Sequence, residues 1–292
     1  MTAPHSVWAV VLMYGGEDVT AECIESLLRQ DYPSVTILLV DNASPDGAGA
    51  RMRERYPQIR HLDTGANLGY TGGNNRGIRA ALDGGADFVL VLNNDTVLDV
   101  RCVSLLVETA LTGGRVGAVA PKILYHADPS RIAFAGGDHS MLRAAGLHRR
   151  MLQRDDPTEA ARAEDITFVT GSCFLMPAAA ARDMGGFRDD FFMYCEDVDL
   201  SLRLRRTGYR LLYQPAARVL HREPMGRALA TPFAAYHRDR NRRRVVRAHY
   251  SPLQRLAFAA WFYPTRCVRV FQYLLRGDAR GARAVVAGTF AR

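Results

Sequence analysis

Apolar segments alternate with amphipathic ones in the first third of this 292-residue chain. The apolar runs are bounded by turn residues and predict strands at Val7–Met13, Val35–Val40, Ile59–Leu62 and Asp87–Leu92. The segments between these strands have the pattern of helices. Strands that alternate with helices usually pair in parallel, and helices then cover both faces of the sheet. We therefore expect an α/β fold with a mixed, mainly parallel central sheet flanked by helices.

Polar residues follow two of these strands directly. Asp41 comes after the second strand, and Asn93-Asn94-Asp95 follows the strand that ends at Leu92. Ligands of such sheets bind beyond the carboxyl ends of the strands, so we expect Asp41 and Asp95 at one rim. A carboxylate at Asp95 suits a hard cation that shares a diphosphate, and Asp41 suits a nucleobase N–H or a sugar hydroxyl. The alternative is that both segments are ordinary turns.

A loop of glycine and asparagine runs from Asn67 to Asn75. It lacks the lysine of a G-x-x-x-x-G-K phosphate-binding loop. Its small residues leave two interpretations open. The loop either caps the helix that follows it, or its backbone contacts a nucleotide.

Three carboxylates, Glu196, Asp197 and Asp199, follow an apolar run and open a predicted helix. A helix N-terminus stabilises nearby anions, so the acids can be purely structural. The same arrangement can also place a general base at the lip of a pocket. Helical spacing puts Glu196 and Asp199 on one side and turns Asp197 about 100° away. Asp197 can then face a pocket while its neighbours cap the helix or pair with Arg203.

A histidine, His221, ends the apolar strand Ala217–Leu220. A single histidine beside an apolar face is commonly structural. An imidazole can also complete a metal site that Asp95 begins. The sequence leaves both interpretations open.

These segments together resemble glycosyltransferase family 2, the inverting enzymes of GT-A fold. The resemblance is strongest to its rhamnosyltransferase-like and galactofuranosyltransferase-like branch. It covers about residues 6–222 and rests on the order and spacing of the motifs rather than on any one of them. The matching segments are Val10-Val11 through Gln30, Asp41 to Ser44, Asn67 to Asn75, Leu92 to Thr96, Thr170 to Cys173, and Gly185-Gly186-Phe187 through His221.

The resemblance implies a role for each matching position. Asp197 would be the general base, with Glu196 as the second choice, and Asp95 and His221 would hold Mg²⁺ or Mn²⁺. The family's D-x-D motif begins with an acid, whereas this chain has Asn93 there. The nucleotide-sugar would be bound by Asp41, Asn67, Gly69, Asn74, Asn93, Asn94 and Gly171.

The implied reaction moves a sugar from a nucleoside-diphosphate donor to a hydroxyl of a glycan or a lipid-linked acceptor. By resemblance, the preferred donor is dTDP-rhamnose. A UDP-sugar carrying galactofuranose, N-acetylglucosamine or another hexose is the alternative. A non-catalytic nucleotide-sugar-binding protein is a further alternative, and only Asn93 favours it.

The positive charge is concentrated at the C-terminal end. Residues 222–292 contain 15 arginines and three acids, a net charge of +12 in a chain whose total is +8. We expect a catalytic domain at 1–222, with its halves meeting near residue 120, and a basic amphipathic helical extension at 223–292. The extension either packs on the catalytic domain or contacts an anionic membrane surface. A nucleic-acid partner is not expected, because no RNA-binding signature accompanies the arginines.

The location in the cell is predicted from what the sequence lacks. The five cysteines are widely spaced and form no C-x-x-C motif, which favours a reducing compartment. No signal-peptide pattern or membrane-spanning apolar stretch is present. We expect a cytoplasmic protein at the inner face of the cell membrane, and its oligomeric state stays open.

Overall fold

The computed structural model describes residues 4–156, 158, 162–225 and 230–291. The first elements are β1 (Val7–Met13), α1 (Glu17–Leu28), β2 (Val35–Asp41), α2 (Ala48–Arg55), β3 (Arg60–Asp63), α3 (Gly69–Asp83), β4 (Phe88–Asn93), β5 (Thr96–Leu98) and α4 (Cys102–Ala110). The next are β6 (Val116–Tyr125), β7 (Asp128–Phe134), β8 (Gly137–Ser140), β9 (Ala145–His148), β10 (Glu164–Ile166), β11 (Cys173–Pro177), α5 (Ala178–Met184), α6 (Glu196–Arg206) and β12 (Arg210–His221). The last are α7 (Pro232–His249), α8 (Pro252–Leu275) and α9 (Ala279–Phe290).

One mixed sheet forms the centre of the molecule. Its strand order is β10-β12-β6-β11-β4-β1-β2-β3, with β5 paired to β12 and β7 paired to β6. Strands β1 to β4 run parallel, β11 runs antiparallel between β4 and β6, and β12 is parallel to β6. Strands β8 and β9 form a separate hairpin. The predicted mixed, mainly parallel sheet is thus confirmed.

The register of the parallel strands brings the predicted site residues to one rim. Met13 at the end of β1 pairs with Asp41 of β2, and Leu12 pairs with Asn93 of β4. The apolar residues of β1 and β4 are buried because helices cover both faces of the sheet. The carboxyl ends of the three strands therefore meet, as the alternating pattern predicted.

Three predicted elements differ from the structure. The apolar pattern also predicts two short strands at Tyr209–Tyr213 and Ala217–Leu220, but they form one strand, β12, whose pairing shifts register between Gln214 and Arg218. The same pattern predicts a strand over Ile166–Met176, and the structure divides this segment between β10 and β11. Residues 136–165 are rich in Arg, Asp and Ala, which predicts an exposed or mobile excursion. This segment contains the β8–β9 hairpin, and its residues 157 and 159–161 lie outside the described residues.

The predicted C-terminal helices are α7, α8 and α9, while residues 226–229 and 292 lie outside the described part of the chain. Thr231 and Ser251 cap α7 and α8, and each is followed by a proline at the first helical position. Val245 of α7 and Phe262 of α8 lie in the same hydrophobic core as the sheet. The boundary at residue 222 stays a prediction, since these helices share a core with residues before it.

The five cysteines are free. Within the described ranges, no helix combines the length and the apolar composition needed to cross a membrane.

Candidate active site

A cavity of about 480 Å³ opens beyond the carboxyl ends of β1 and β4, a volume that suits a small ligand. Its walls come from the sheet rim, the start of α3, the segment before α6, and α7. Five of the predicted site residues contribute to it, namely Asn67, Gly69, Asn93, Asn94 and Asp95. The other lining residues are Leu12, Tyr14, Asn42, Tyr70, Phe192, Met193 and Phe233.

Asp95 and His221 come together beside this cavity. Strand β12 pairs with β5 so that His221 lies opposite Thr96, and Nε2 of His221 is 3.1 Å from Oδ1 of Asp95. On the other side of the ring, Nδ1 lies 3.4 Å from Oε1 of Glu223. A buried imidazole between two carboxylates has a fixed orientation, with Glu223 in the position of an orienting group.

Electrostatics make this pair ionic when nothing else is bound. Burial opposes the charge on His221, but Asp95 and Glu223 outweigh it and raise the pKa of His221 to about 9. Burial likewise opposes ionisation of Asp95, yet His221 outweighs it and the pKa of Asp95 is lowered. Each group thus supplies the charge that holds the other ionised.

Asp95 and His221 fit a divalent cation that takes its other ligands from a bound diphosphate or from water. Oδ1 of Asp95 is buried and makes no hydrogen bond, although His221 is close to it. Among the described residues, no group of three or more His, Cys, Asp or Glu side chains could hold a metal ion. Two protein ligands leave most positions of an octahedral ion open, so diphosphate oxygens or water would complete the shell.

The two asparagines before Asp95 hold neighbouring segments. Nδ2 of Asn94 donates to Oγ1 of Thr20 at 2.7 Å and to the Gly15 carbonyl at 3.3 Å, which fixes the start of α1. The amide group of Asn93 lies 3.4 Å from Nε2 of His221. Asn93 therefore joins the Asp95 and His221 pair, while Asn94 supports the rim.

Asn42 organises the loop that enters α3, a role that the sequence analysis missed. It is 2% exposed, and its Nδ2 donates to Oδ1 of Asn67 and to the Gly69 carbonyl, both at 3.1 Å. Its Oδ1 accepts from the Leu68 N–H at 3.0 Å. The available signal was its position directly after Asp41 at the end of a buried strand.

Gly69 meets two constraints that exclude a side chain. Its φ of +71° lies in the left-handed region, and a Cβ would stand 2.5 Å from the Phe192 carbonyl oxygen. The loop entering α3 is therefore packed against the segment that precedes α6.

Two predicted nucleotide-binding residues make local contacts instead of lining the described cavity. Oδ1 of Asp41 accepts from the backbone N–H of Ser44 at 3.0 Å and also from its hydroxyl. Asn74 is fully buried in α3, where its Nδ2 donates to the Tyr70 carbonyl at 2.9 Å. Asp41 thus shapes the turn after β2, and Asn74 fixes the first turn of α3.

Glu196 and Asp197 lie next to the cavity wall and are connected to it. Oδ2 of Asp197 accepts from the Gly171 N–H at 3.3 Å, and the Gly171 carbonyl accepts from the hydroxyl of Tyr70 at 2.6 Å. Tyr70 is part of the cavity lining, whereas the two carboxylates and Gly171 are not among its described members. Asp197 is half-buried and Glu196 is buried.

The two carboxyl groups share an unfavourable environment for negative charge. Burial raises the pKa of both, and the neighbouring Asp197 raises that of Glu196 further, well above its ordinary value. Backbone N–H groups of Gly171 and Val198 favour ionised Asp197, whereas Oε2 of Glu196 is buried with no hydrogen-bond partner in the described chain. The pair therefore retains a proton on Glu196 more readily than on Asp197.

Asp199 has the supporting role that helical spacing predicted. It is fully buried, and Oδ2 accepts from Nε of Arg203 at 2.7 Å. Its Oδ1 lies 2.7 Å from Nε2 of His249 in α7. The sequence left helix capping and pairing with Arg203 open, and the structure shows the pairing. His249 adds a contact to the C-terminal helices.

The segment before α6 has an unusual backbone that α7 holds in place. Phe192, Tyr194 and Cys195 have φ values of 63°, 71° and 67°. Non-glycine residues rarely adopt this left-handed region, so the conformation needs support from its surroundings. Asn241, fully buried in α7, bonds backbone carbonyls of this segment.

Aromatic side chains of α7 close one side of the cavity. The rings of Phe192 and His237 stack with centroids 5.6 Å apart, and Phe233 lies 4.4 Å from His237. Burial and two nearby arginines lower the pKa of His237 to about 4, so the ring is neutral at physiological pH. The cavity is thus completed by residues beyond position 222.

Residues 4–245 match the protein family described as Glycosyltransferase like family 2. This chain belongs to that family. The glycosyltransferase is 36% identical over 230 residues to N-acetylglucosaminyl-diphospho-decaprenol L-rhamnosyltransferase of Mycobacterium tuberculosis, and the match covers 70% of this chain and 73% of the relative. The predicted family membership and the predicted rhamnosyltransferase likeness are confirmed.

Solved glycosyltransferases share the fold of this one. GalNAc-T7, solved with UDP, GalNAc and Mn²⁺, superposes with a TM-score of 0.66 at 15% identity; the match covers 84% of this chain and 48% of GalNAc-T7. The glycosyltransferase therefore spans about half the length of that structure. The mannosyltransferase PcManGT from Pyrobaculum calidifontis, in complex with GDP-Man and Mn²⁺, has a TM-score of 0.59 at 17% identity and covers 98% of this chain and 74% of PcManGT. The predicted GT-A fold is confirmed.

Proposed function

We propose that this glycosyltransferase transfers L-rhamnose from dTDP-rhamnose to a hydroxyl of a lipid-linked sugar, with inversion at the anomeric carbon. The choice of sugar and acceptor follows the M. tuberculosis relative, whose name describes an L-rhamnosyltransferase acting on a diphospho-decaprenol-linked sugar. The observation that carries the proposal is the contact between Asp95 and His221 at the edge of the cavity. A carboxylate pair lies behind the same cavity wall, one hydrogen-bonded residue from Tyr70.

Asp95 and His221 are the proposed ligands of Mg²⁺ or Mn²⁺. The buried, unbonded Oδ1 of Asp95 supports this assignment, and Glu223 would orient the imidazole. When bound, such a cation offsets negative charge on a leaving diphosphate. Displacement of the proton from Nε2 of His221 would accompany metal binding, because only a neutral imidazole nitrogen is a ligand.

Asp197 is the proposed general base and Glu196 the second choice. Asp197 would take the proton from the acceptor hydroxyl while that oxygen attacks the anomeric carbon. The bond from that carbon to the diphosphate oxygen breaks, and the nucleoside diphosphate leaves with the bonding electrons. The Gly171 N–H supports this role because it holds Oδ2 of Asp197 in place.

The remaining predicted residues divide into two proposed groups. Asn67, Gly69, Asn93 and Asn94 line the cavity and would contact the donor directly. Asp41, Asn74 and Gly171 would act by holding those contacts in place, since their side chains or backbone bond neighbouring loops.

The C-terminal helices have two proposed roles. We assign α7 to the catalytic unit, because Phe233 lines the cavity and Asn241 holds the segment before α6. The outer face of α8 would rest on an anionic membrane at the cytoplasmic side, near a lipid-linked acceptor. This face exposes Leu253, Leu256, Val268, Phe271 and Leu275, and the whole helix contains no acid. An exposed apolar stripe among arginines is typical of interfacial helices.

A thermal-shift panel tests the proposed donor and metal together. The protein is heated with dTDP-rhamnose, UDP-galactofuranose or UDP-N-acetylglucosamine, each with Mn²⁺ and with EDTA. We expect dTDP-rhamnose with Mn²⁺ to give the largest rise in Tm, because a ligand that binds only the folded state stabilises it. A larger rise with a UDP-sugar would overturn the donor assignment, and an equal rise in EDTA would overturn the metal assignment.

A further inference from the structure

A cleft separate from the donor cavity collects five arginines. Its volume is about 460 Å³, and it lies between the β8–β9 hairpin and helices α7 and α8. The cations are Arg143, Arg238, Arg242, Arg266 and Arg269. Asp239 is the acid among the lining residues that the structure describes, so the formal excess is four positive charges.

Arg266 is the most buried of these arginines and is held by contacts within the fold. Arg266 is 8% exposed, pairs through Nη1 with buried Asp239, and has its guanidinium 4.8 Å from the centre of the Phe262 ring. Nε of Arg266 and Nε of Arg242 are buried and have no hydrogen-bond partner within the described residues. Both arginines line the cleft, and their positive charge favours an anion bound there.

An apolar groove continues from the cleft. It has a volume of about 480 Å³, lies between α8 and α9, and shares Arg266 and Val285 with the cleft. Five of its apolar lining residues are 41% to 69% exposed, namely Tyr263, Phe271, Leu274, Val286 and Phe290. A cationic cleft that opens into an apolar groove matches an amphiphile with an anionic head.

We propose that the cleft binds the phosphate groups of a phosphorylated lipid and that the groove holds its hydrocarbon chain. We identify this lipid as the carrier of the sugar acceptor, and that identification rests on the proposed function. The position of the cleft supports that assignment, because the Arg238 guanidinium lies 4.7 Å from the centre of the Tyr194 ring. Tyr194 belongs to the segment that leads directly into Glu196 and Asp197.

Calorimetry with three probes measures separately how the phosphate head and the hydrocarbon chain contribute to binding. Farnesyl diphosphate carries both parts, inorganic pyrophosphate only the head, and farnesol only the chain. The titrations use the full chain in EDTA, so that a metal-dependent donor site does not contribute. We expect farnesyl diphosphate to bind roughly tenfold or more tightly than either of the other probes, because burial of its chain adds to the charged hydrogen bonds.

Paired variants assign the binding to this cleft. Arg242→Met with Arg269→Met should weaken the binding of farnesyl diphosphate roughly tenfold or more, because hydrogen bonds between the arginines and the phosphate groups are lost. Arg247→Met with Arg276→Met removes the same charge from exposed positions outside the cleft and should leave the affinity unchanged. Val286→Ser with Phe290→Ser should weaken the binding of farnesyl diphosphate and leave the affinity for pyrophosphate unchanged. These variants keep the buried Arg266 and Asp239, and circular dichroism checks that each one folds.

Equal binding of pyrophosphate and farnesyl diphosphate would overturn the lipid assignment and indicate a free-anion site. Equal losses of affinity for farnesyl diphosphate in the cleft variant and its control would overturn the assignment of the site to this cleft. The stabilisation by dTDP-rhamnose and Mn²⁺ is measured on the same variants. If wild-type protein binds farnesyl diphosphate through the cleft but no nucleotide-sugar, the proposed function fails while the lipid site stands.

Discussion

The side-chain amide of Asn241 donates a hydrogen bond of 2.8 Å to the backbone carbonyl of Tyr194. The same nitrogen lies 2.9 Å from the carbonyl of Phe191 and 2.8 Å from that of Met193. One buried side chain of α7 therefore fixes the backbone that leads into the proposed base. Two residues of this backbone, Tyr194 and Cys195, depend on such support because they have left-handed φ angles.

Asn241→Ala should destabilise the protein by about 2–5 kcal/mol, because it leaves buried carbonyls without a donor and removes packing. Urea unfolding measures this change. We also expect kcat to fall more than KM rises, since the donor cavity keeps most of its lining. Gln272→Ala, at an exposed position of α8, is the control. Wild-type stability in Asn241→Ala would contradict the role given to this amide.

Asp197→Asn should keep the fold and the binding of donor but lose about 10²–10⁴-fold in transfer rate, the usual contribution of a general base. Glu196→Gln should lose less, because Glu196 already holds its proton more readily. Turnover with a lipid-linked acceptor measures the rate, and thermal shift with dTDP-rhamnose measures donor binding. Unchanged turnover in Asp197→Asn would exclude it as the base.

Glu196→Gln should make the protein more stable at neutral pH. In the folded protein, burial and Asp197 raise the pKa of Glu196 well above its ordinary value of 4.5. The folded state thus holds a proton that the unfolded state releases, and stability falls as the pH rises above 4.5 toward the folded pKa. The glutamine of the variant cannot ionise, so the variant does not lose stability in this way. Its free energy of unfolding, relative to wild type, should therefore increase by up to about 1.4 kcal/mol per pH unit above the ordinary pKa of 4.5.

Urea unfolding at pH 5, 6 and 7 measures that advantage. Glu108→Gln, at an exposed position, should show no such dependence on pH. An advantage of Glu196→Gln that shrinks as the pH rises would show that Glu196 is ionised in the folded protein.

Mn²⁺ should bind weakly to the protein alone and much more tightly with dTDP present, because Asp95 and His221 supply only two ligands. Electron paramagnetic resonance of free Mn²⁺ measures both affinities. His221→Ala should abolish the tight binding, and Glu223→Gln should weaken it about 10–100-fold as an orienting partner. Tight Mn²⁺ binding without nucleotide would point to ligands other than this pair.

Leu256→Asp with Phe271→Asp should reduce co-sedimentation with vesicles that contain anionic lipid. These residues are 68% and 60% exposed on the outer face of α8, where a carboxylate opposes insertion and is repelled by the lipid. Leu28→Asp with Leu111→Asp adds the same charge at exposed positions on α1 and after α4 and should have no effect. Equal loss in both pairs would indicate a general effect of charge.

Sequence patterns predicted the parts of the fold that depend on local chemistry. The first four strands were predicted to within about a residue at each end, because each is a buried apolar run. Helical spacing indicated pairing with Arg203 as one of two roles open to Asp199. The rim that joins Asp41 and Asp95 followed from the direction of parallel strands.

Long-range contacts were missed because they leave no local pattern. Asn241 lies within a run of arginines, and nothing around it indicates that its amide faces three carbonyls. Strand β12 was predicted as two pieces because Pro215 and Ala216, at its register shift, interrupt the apolar pattern. The role of Asn42 depends on a loop that is remote in sequence and close only in the fold.

The pairing of β5 with β12 has a consequence for the protein during its synthesis. Asp95 emerges from the ribosome well before His221, which lies on β12, the strand that pairs with β5 and β6. A nascent or truncated chain that ends before β12 still carries Asn93-Asn94-Asp95, but it has no imidazole to place beside them. The motif is therefore present in every fragment that extends past residue 95, whereas the proposed ion site also requires β12.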